Sequence, residues 1–457
     1  MDPIAGRRFL IAHSIVQRIL GATVVTLELA EFLIERGAEV TVYAAFLGDP
    51  ALSLFRERGV TVVDDRTFPD LRLTDLDVVW VHSQVVPLPI LEQLAGPLPE
   101  RMPPFVFLHM SALDLAPDEH PYIPGLEARL SSLSLFVAPA TREQLLPAIG
   151  RPVATGIYPN PAPRSFAEHP YRRKERPERI LIVSNHSVPE VAEARDLLRD
   201  RGFEVRHLGA PHDAYELVTP ALLAGADVVV TIGKTVPYCL VAGIPVFVYD
   251  HYGGYGYLDE DNLERARFRN FSGRGGVKLS AERLVADILD GYADAAAFQA
   301  HRRAYFWTEF GIDEVLPPLL ESLQPYPVQP FDPAFLAAVD SAQRFGARFY
   351  RYWGRNIVAN RRLARARGEL AHAHRELTRV CGELTRVRGE LADRETPDRP
   401  SDQGVTPRSG RVGRLVRLPA SALRRVRNRF GRTQARVLTE GPRRRPAAGD
   451  GDSPAVG

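Results

Sequence analysis

The sequence predicts an α/β protein with two doubly wound, Rossmann-like domains, followed by a helical or coiled-coil segment and a disordered basic tail. Short apolar segments alternate with helix-like ones, the alternation stops at a stretch rich in proline and charge, and then it starts again. Near-continuous apolar strands separated by helices are typical of parallel sheets covered on both faces. We place the boundaries at 1–158, 159–178 for a linker, 179–330, 331–395 for the helical extension and 396–457 for the tail.

The first half supplies a helix and six strand candidates. Ala22–Arg36 has Val25, Leu29 and Phe32 at helical spacing, and Gly37 is a natural stop. The strand candidates are Arg8–His13, Glu39–Tyr43, Val60–Val63, Asp77–His82, Phe105–His109 and Leu135–Ala138.

The second half repeats the pattern after Pro159–Pro177, a segment whose proline and charge content predicts an interdomain linker. Strands are expected at Arg179–Ser184, Glu204–Leu208, Ala226–Ile232 and Ile244–Tyr249, with helices at Pro189–Arg201 and Ala281–Leu289. Such sheets bind ligands outside the carboxyl ends of their strands, so the cleft between two of them is the natural active site.

Composition indicates a globular protein in a reducing setting. The chain has 457 residues, 45% hydrophobic content, a formal net charge of +2 and two cysteines, Cys239 and Cys381, in unrelated contexts. Two such cysteines indicate neither a disulfide framework nor a zinc site. No apolar run reaches the roughly 18 residues of a membrane span, so we expect a cytoplasmic protein whose membrane attachment, if any, is peripheral.

The extension and the tail have patterns of their own. Apolar residues from Leu363 to Leu391 alternate at spacings of three and four, which predicts either a short parallel coiled coil, able to join copies of the chain, or a helix docked on the body. The segment Arg411–Leu438 interleaves arginines with apolar residues. It is interpreted as a basic segment on an anionic membrane, with an inert tail as the alternative; aromatics are too sparse for nucleic-acid binding.

Gly233, Lys234 and Thr235 form the most distinctive motif. They follow an apolar strand and open a helix, and Lys234 is one of only three lysines in the chain. A P-loop would need a glycine five residues before Gly233, where Val228 stands. The motif therefore favours a simpler phosphate contact at a helix start, and a lysine that caps a surface loop is the alternative.

Two glycine-containing turns are further candidates. Gly21 lies between the first strand and its helix, where a glycine lets a ligand approach the backbone or serves turn geometry alone. The segment Asp250–Gly256 includes Asp250, His251, Gly253 and Gly254 after an apolar strand. We interpret it as a flexible loop over a sugar or ribose, with an ordinary turn as the alternative.

Four histidines, His13, His82, His109 and His186, lie at or just after strand ends and could rim one cleft. Each could serve as an acid–base group or a hydroxyl donor, or could be satisfied inside a loop network. No pair has metal-ligand spacing on one element, so we expect no metal site.

Several of these segments resemble the GT-B glycosyltransferases of bacterial surface-polysaccharide synthesis. RFLIAHS with GATVVTLELAEFLIERGAEVTVY resembles their first strand, glycine turn and helix, and TIGKTVPYCLVAGIPVFVYDHYGGYGY resembles their donor-binding half. The resemblance implies that Gly21, Lys234 and Thr235 bind the donor diphosphate, that His109 contacts sugar or acceptor, and that Asp250–Gly256 lie over the donor. His109 and Lys234 are then the catalytic candidates.

One departure from the family concerns the leaving group. Many retaining relatives have an arginine and a lysine after the first strand of the second domain, where this chain has Ser184, Asn185 and His186. Their usual pair of glutamates is not recognisable either.

The expected function is transfer of a sugar from a nucleotide-diphosphate donor to a lipid-linked or polysaccharide acceptor, without a separate cofactor. The alternatives are a glycerophosphate or polyol-phosphate transferase, a sugar-nucleotide epimerase, or a catalytically inactive scaffold at the membrane.

Overall fold

The computed structural model describes residues 4–113, 116, 119–150, 154–169, 171, 174–209, 216–325 and 331–394. They form two mainly parallel sheets flanked by helices, which confirms the predicted class of two Rossmann-like domains. Both sheets belong to one compact unit that extends to His372, and the described part of a second unit, 373–394, is helical. The tail predicted at 396–457 lies outside the described residues.

The first sheet has seven parallel strands in the order β3-β2-β1-β4-β5-β6-β7. They are β1 Arg8–Val16, β2 Glu39–Leu47, β3 Thr61–Val63, β4 Val78–His82, β5 Phe105–His109, β6 Ser131–Phe136 and β7 Thr155–Ile157. The helices of this half are α1 Gly21–Glu35, α2 Ala51–Glu57, α3 Leu88–Leu94, α4 Leu126–Leu130 and α5 Pro139–Ile149, with a 3₁₀ turn at Leu73–Asp75.

Alternate residues of β1 show why its sequence is apolar throughout. Phe9 and Ile11 pack in one hydrophobic core with α1, whereas Leu10 and Ala12 pack in a second core with α3. Because both faces of the strand are buried, no polar alternation remains to mark it.

The second sheet has the order β12-β11-β10-β8-β9, and only the edge pair β11–β12 is antiparallel. The strands are β8 Arg179–Val183, β9 Glu204–Leu208, β10 Val228–Thr231, β11 Val246–Asp250 and β12 Gly253–Tyr257. The helices are α6 Arg164–Glu168, α7 Pro189–Asp200, α8 Pro220–Ala224, α9 Thr235–Ala242, α10 Leu263–Phe268, α11 Ala281–Asp290 and α12 Tyr292–Phe310.

The predicted flexible loop over Asp250–Gly256 is wrong, because most of this segment forms the edge strand β12. A Cβ on Gly254 would lie 1.9 Å from the carbonyl oxygen of Val248, and a Cβ on Gly253 would lie 2.6 Å from that of Val277. Gly253 also has a φ of +87°. Close backbone approach therefore accounts for these two glycines without a ligand.

Much of the predicted linker is packed rather than free. Ala162 forms a bridge with Gly311, and Phe166 on α6 is buried with its ring stacked 4.0 Å from that of Tyr238. After Gly311 the helix α13, Ile312–Ser322, returns to the first domain, where Ile312, Leu316 and Leu320 join the core beside α1. The chain thus crosses between the domains twice at neighbouring points.

The last helix, α14, runs from Pro333 to Arg394. Its early residues Val339, Ala347 and Tyr350 are buried in the core of the first domain. Among the described residues, no helix has the length and apolar character that crossing a bilayer requires.

Replacement of Gly254 by alanine tests the structural role of the edge strand. We expect Gly254→Ala to lower the free energy of unfolding in urea by about 1–3 kcal/mol, because the new methyl group forces the backbone of β11 and β12 apart. Gly96→Ala is the control, since its Cβ would meet nothing nearer than the Gln93 carbonyl at 3.7 Å. Equal stability of the two variants would contradict the packing role of Gly254.

Candidate functional site

The strand orders place one topological switch point in each sheet. In the first sheet the chain order reverses between β1 and β4, and in the second it reverses between β8 and β10. Ligands of open α/β sheets bind outside the carboxyl ends of the strands at such points. The segments that follow β1, β8 and β10 are therefore the places where a site is expected.

These segments meet between the two domains. A Cβ built on Gly21, at the start of α1, would lie 4.0 Å from the Cβ of Lys234, which precedes α9. A cavity of about 80 Å³ is lined by both residues and by Thr235, Asn185 and Gly209. The structure thus brings together Gly21, Lys234 and Thr235 from distant parts of the sequence.

The two helix starts at this cavity differ in the donors that they offer. In α9 the Val236 N–H already donates to the Gly233 carbonyl at 3.0 Å and Pro237 has no N–H, which leaves the Thr235 N–H. The residues that precede α1 and α9, Leu20 and Lys234, make no side-chain cap hydrogen bond. The first N–H groups of a helix have no carbonyl partner within the helix, and the helix dipole favours negative charge there. The start of α1 therefore suits an anion, and α9 adds the Thr235 N–H.

Lys234 itself is buried and engaged within the chain. Its Nζ lies 2.5 Å from Glu28 Oε2, donates to the carbonyl oxygens of Pro161 at 2.6 Å and Asn160 at 3.3 Å, and lies 4.6 Å from the ring centroid of Tyr238. Burial lowers the pKa of Lys234, and the Glu28 carboxylate acts in the opposite direction. This lysine is not the cap of a surface loop.

Glu28 completes the contact from the first domain. It lies on α1, is 8% exposed, and also accepts a hydrogen bond from the Tyr238 hydroxyl of α9. Burial raises the pKa of Glu28, while Lys234 and the Tyr238 hydroxyl oppose that rise. Glu28, Lys234 and Tyr238, hereafter the interdomain triad, join one helix of each domain.

Sequence reasoning missed Glu28 and Tyr238, although α1 contains a signal. Glu28 occupies the apolar face of the helix, three residues after Val25 and four before Phe32. An acid on a buried helix face needs a partner, so this pattern indicates a buried cation elsewhere in the chain.

His109 lies inside the first domain and does not face the cavity. It is fully buried, its Nε2 lies 3.0 Å from Glu127 Oε1, and its ring stacks on Phe136. Glu127 also accepts hydrogen bonds from Gln84 and Ser134. Contact between His109 and a substrate would require this network to open.

The four histidines do not rim one cleft. His13 and His82 are buried and stacked on each other with ring centroids 4.9 Å apart, and burial lowers the pKa of both, to about 4 for His13. His82 also lies 3.1 Å from the Thr26 hydroxyl. His186 belongs instead to the second domain, beside Asp250.

Asp250 ends β11 and is almost fully buried. It accepts hydrogen bonds from the Ser184 hydroxyl at 2.9 Å and from the backbone N–H of His251 at 2.7 Å, and its Oδ2 lies 3.2 Å from His186 Nδ1. Burial alone would raise the pKa of Asp250, but these contacts lower it below its ordinary value. Burial lowers the pKa of His251.

Gly233 has a structural task at the start of the motif. Its φ is +62°, and its N–H donates to the Phe271 carbonyl at 3.1 Å. A positive φ is costly for other residues, so Gly233 shapes the turn that presents Lys234.

No family model and no curated protein matches this chain. Among solved structures it is similar to an alpha-glucosyltransferase in complex with UDP-glucose and DNA, at 12% identity over 70% of this chain and 100% of the other, with a TM-score of 0.42. It is similar to the glycosyltransferase VinC in complex with dTDP, at 14% identity over 69% and 98% of the two chains and a TM-score of 0.40.

A third similar structure is MurG of Acinetobacter baumannii, at 12% identity over 66% of this chain and 99% of the other, with a TM-score of 0.35. Likenesses this remote assign no activity. The fold class rests on the strand order of the chain itself.

Removal of the Glu28 carboxylate tests the interdomain triad. Glu28→Ala leaves the Lys234 charge buried without its counterion, so we expect the free energy of unfolding to fall by about 3–5 kcal/mol. Glu35→Ala, at an exposed position of the same helix, should change it by no more than about 0.5 kcal/mol.

A double variant separates the charge from the packing. Glu28→Leu combined with Lys234→Met removes both charges. The free energy of unfolding, measured in urea, should then return most of the way to that of the parent chain. If Glu28→Ala is no less stable than Glu35→Ala, the triad does not stabilise the fold.

Proposed function

We propose that the chain transfers a sugar from a nucleotide-diphosphate donor, and that the donor diphosphate binds where Gly21 meets Lys234. The meeting of these residues at the switch points of both sheets is the observation that supports the proposal. A lysine, the uncapped start of α1 and the Thr235 N–H together offer the positive potential that a diphosphate needs.

Binding of the donor requires a rearrangement around Lys234. A cavity of about 80 Å³ is too small for a nucleotide sugar, since ligand sites for molecules of this size are about 300–1,000 Å³. Lys234 also already has a counterion in Glu28. Binding therefore requires the domains to separate locally, with the diphosphate replacing Glu28 beside Lys234.

This exchange would serve catalysis as well as binding. When the bond to the sugar breaks, negative charge develops on the leaving diphosphate. A preorganised ammonium and helix N–H groups stabilise such charge, and this is usually a large part of the rate enhancement. Lys234 would thereby do the work that an arginine and a lysine share in many relatives.

The sugar and the acceptor would bind at other parts of the chain. Asp250 and His251, at the carboxyl end of β11, are proposed to contact the donor sugar or nucleotide. A lipid-linked or polysaccharide acceptor is proposed, with peripheral membrane attachment through the arginine-rich segment at 411–438, which lies outside the described residues.

Nucleotide binding is tested with Gly21→Ala. The new Cβ would meet only the Cβ of Lys234, at 4.0 Å, so the fold should tolerate it. The methyl group would nevertheless stand between the start of α1 and a phosphate, so we expect affinity for the preferred nucleoside diphosphate to fall about tenfold, as loss of one charged hydrogen bond implies.

The measurement is titration calorimetry after a thermal-shift screen with UDP, GDP, CDP, dTDP and their sugars. Gly96→Ala is the control and should bind like the parent chain. Stabilisation by no nucleotide would favour the inactive scaffold, and unchanged affinity in Gly21→Ala would place the diphosphate elsewhere.

The reaction products distinguish the enzymatic alternatives. Glycosyl transfer releases a nucleoside diphosphate, transfer of a glycerophosphate or polyol phosphate from a CDP-linked donor releases CMP, and epimerisation leaves the nucleotide attached to an altered sugar. Chromatography of the nucleotides after incubation with each donor therefore identifies the class.

We further propose that α14 joins two copies of the chain. From Leu363 to Leu391 the leucines and valines that would form a heptad seam are 43% to 72% exposed. These apolar positions, hereafter the stripe, have the spacing of a coiled-coil seam. The leucines occupy heptad a positions, and Ala366, Ala373, Val380 and Val387 occupy d positions.

The charges beside the stripe favour a parallel pair. The g positions from residue 369 onward are glutamates, whereas the e positions are Arg367, His374, Cys381 and Arg388. In a parallel pair each g residue faces the e residue of the next heptad, so Glu383 faces Arg388 of the second copy. An antiparallel pair would place glutamates against glutamates.

Charges introduced into the stripe test self-association. Leu377→Glu combined with Leu384→Glu should convert a dimer to a monomer by light scattering at micromolar concentration, because four charges would enter the seam. Thr378→Glu with Thr385→Glu adds the same charge at neighbouring b positions and should remain dimeric. A monomeric parent chain, or a dimer that survives the leucine changes, would contradict the proposal.

A further inference from the structure

Three side chains that sequence spacing did not connect converge at the carboxyl edge of the second sheet. His186 follows β8, and Asp250 ends β11 with His251 immediately after it. One ligand atom from each residue lies within 4.8 Å of those of the other two. Two imidazole nitrogens and a carboxylate oxygen, from the ends of β8 and β11, thus lie close together.

The distances from the Asp250 carboxylate to the two imidazoles are close to those found around a single ion. His186 Nδ1 lies 3.2 Å from Asp250 Oδ2, and His251 Nδ1 lies 3.6 Å from Asp250 Oδ1. A tetrahedral ion with bonds of about 2.0–2.2 Å holds its ligand atoms roughly 3.3–3.6 Å apart. The two nitrogens face different oxygens of Asp250, and the two imidazole rings pack against each other with centroids 3.8 Å apart, so the rings must turn before all three residues can bind one ion.

The surroundings hold the carboxylate and leave one nitrogen available. The Ser184 hydroxyl and the His251 N–H both donate to Asp250, as outer contacts of a metal-binding carboxylate do. His251 Nδ1 is buried and makes no hydrogen bond within the described residues. A buried nitrogen without a hydrogen-bond partner is costly, and a bound ion would supply that partner.

The cluster also has an entry path. The His186 side chain is 44% exposed, whereas Asp250 is 1% exposed at the floor of the cluster. An ion could therefore approach from solvent and keep at least one position open to water or to an anionic oxygen.

We propose that His186, Asp250 and His251 form a binding site for a divalent transition metal of the Zn²⁺ type. Two imidazoles and one carboxylate with an open position are a donor set that such ions prefer over Mg²⁺ or Ca²⁺, which favour oxygen ligands. The site shares no residue with the cavity at Gly21 and Lys234, and the proposal does not depend on the transfer reaction. In the absence of a metal, the same three residues would only tie the segment after β8 to the end of β11.

Titration of the chelator-treated full chain separates these possibilities. We expect Zn²⁺ to bind one equivalent by calorimetry, and Co²⁺ to give the visible absorption of a low-coordinate site. His186→Ala and His251→Ala should each weaken binding by at least about tenfold, since even outer-sphere changes cost 10- to 100-fold. His301→Ala, an exposed histidine on α12, is the matched control and should bind like the parent chain.

The experiment uses metal affinity and spectrum, neither of which requires activity. His186→Ala changes a half-exposed side chain, so circular dichroism should show an unaltered fold. Absence of a stoichiometric Zn²⁺ site, or a site that persists in both variants, would overturn the proposal. Failure of nucleotide binding would leave it standing, because the metal titration is made without nucleotide.

Discussion

The contact of Lys234 with Glu28 and Tyr238 is the interaction on which the rest of the site depends. It places a cation and an anion in the interior, between α1 of the first domain and α9 of the second. Removal of two charges from water is costly. Further contacts of the Lys234 ammonium with two backbone carbonyls and the Tyr238 ring offset part of that cost. An anion that competes for Lys234 would take the place of Glu28 in this pair.

The topology explains why this contact lies where a ligand would bind. Each sheet reverses its chain order beside its first strand, and the helices that follow β1 and β10 start at the interface between the domains. The two helix starts lie so close together that a Cβ on Gly21 would be 4.0 Å from that of Lys234. The same geometry that joins the domains therefore concentrates free N–H groups and one ammonium in one place, and a diphosphate would use all of them.

Sequence patterns predicted the sheets well because burial on both faces leaves an unmistakable apolar run. Phe105–His109 and Glu204–Leu208 were predicted at their observed bounds. The strand β6 begins at Ser131, four residues before the predicted start, because Ser131 and Ser134 are buried through hydrogen bonds with each other and with Glu127. A polar residue satisfied in this way is indistinguishable from a loop residue in the sequence.

The site was harder to predict for related reasons. In the sequence, the glycines at 253 and 254 resemble those of a ligand-binding loop. In the structure, close contacts with neighbouring backbone require glycine at both positions. The convergence of Lys234 with Gly21 was expected only from resemblance, and the role of Glu28 depends on a contact 206 positions away along the chain. His186 and Asp250 likewise meet only because β8 and β11 end at the same edge of the sheet.

The most direct test is a structure of the chain determined with the nucleoside diphosphate that stabilises it most. We expect diphosphate oxygens within hydrogen-bond distance of Lys234 Nζ and of the N–H groups at the start of α1, with Glu28 no longer paired to the lysine. A nucleotide bound elsewhere, with the Lys234–Glu28 contact intact, would contradict it.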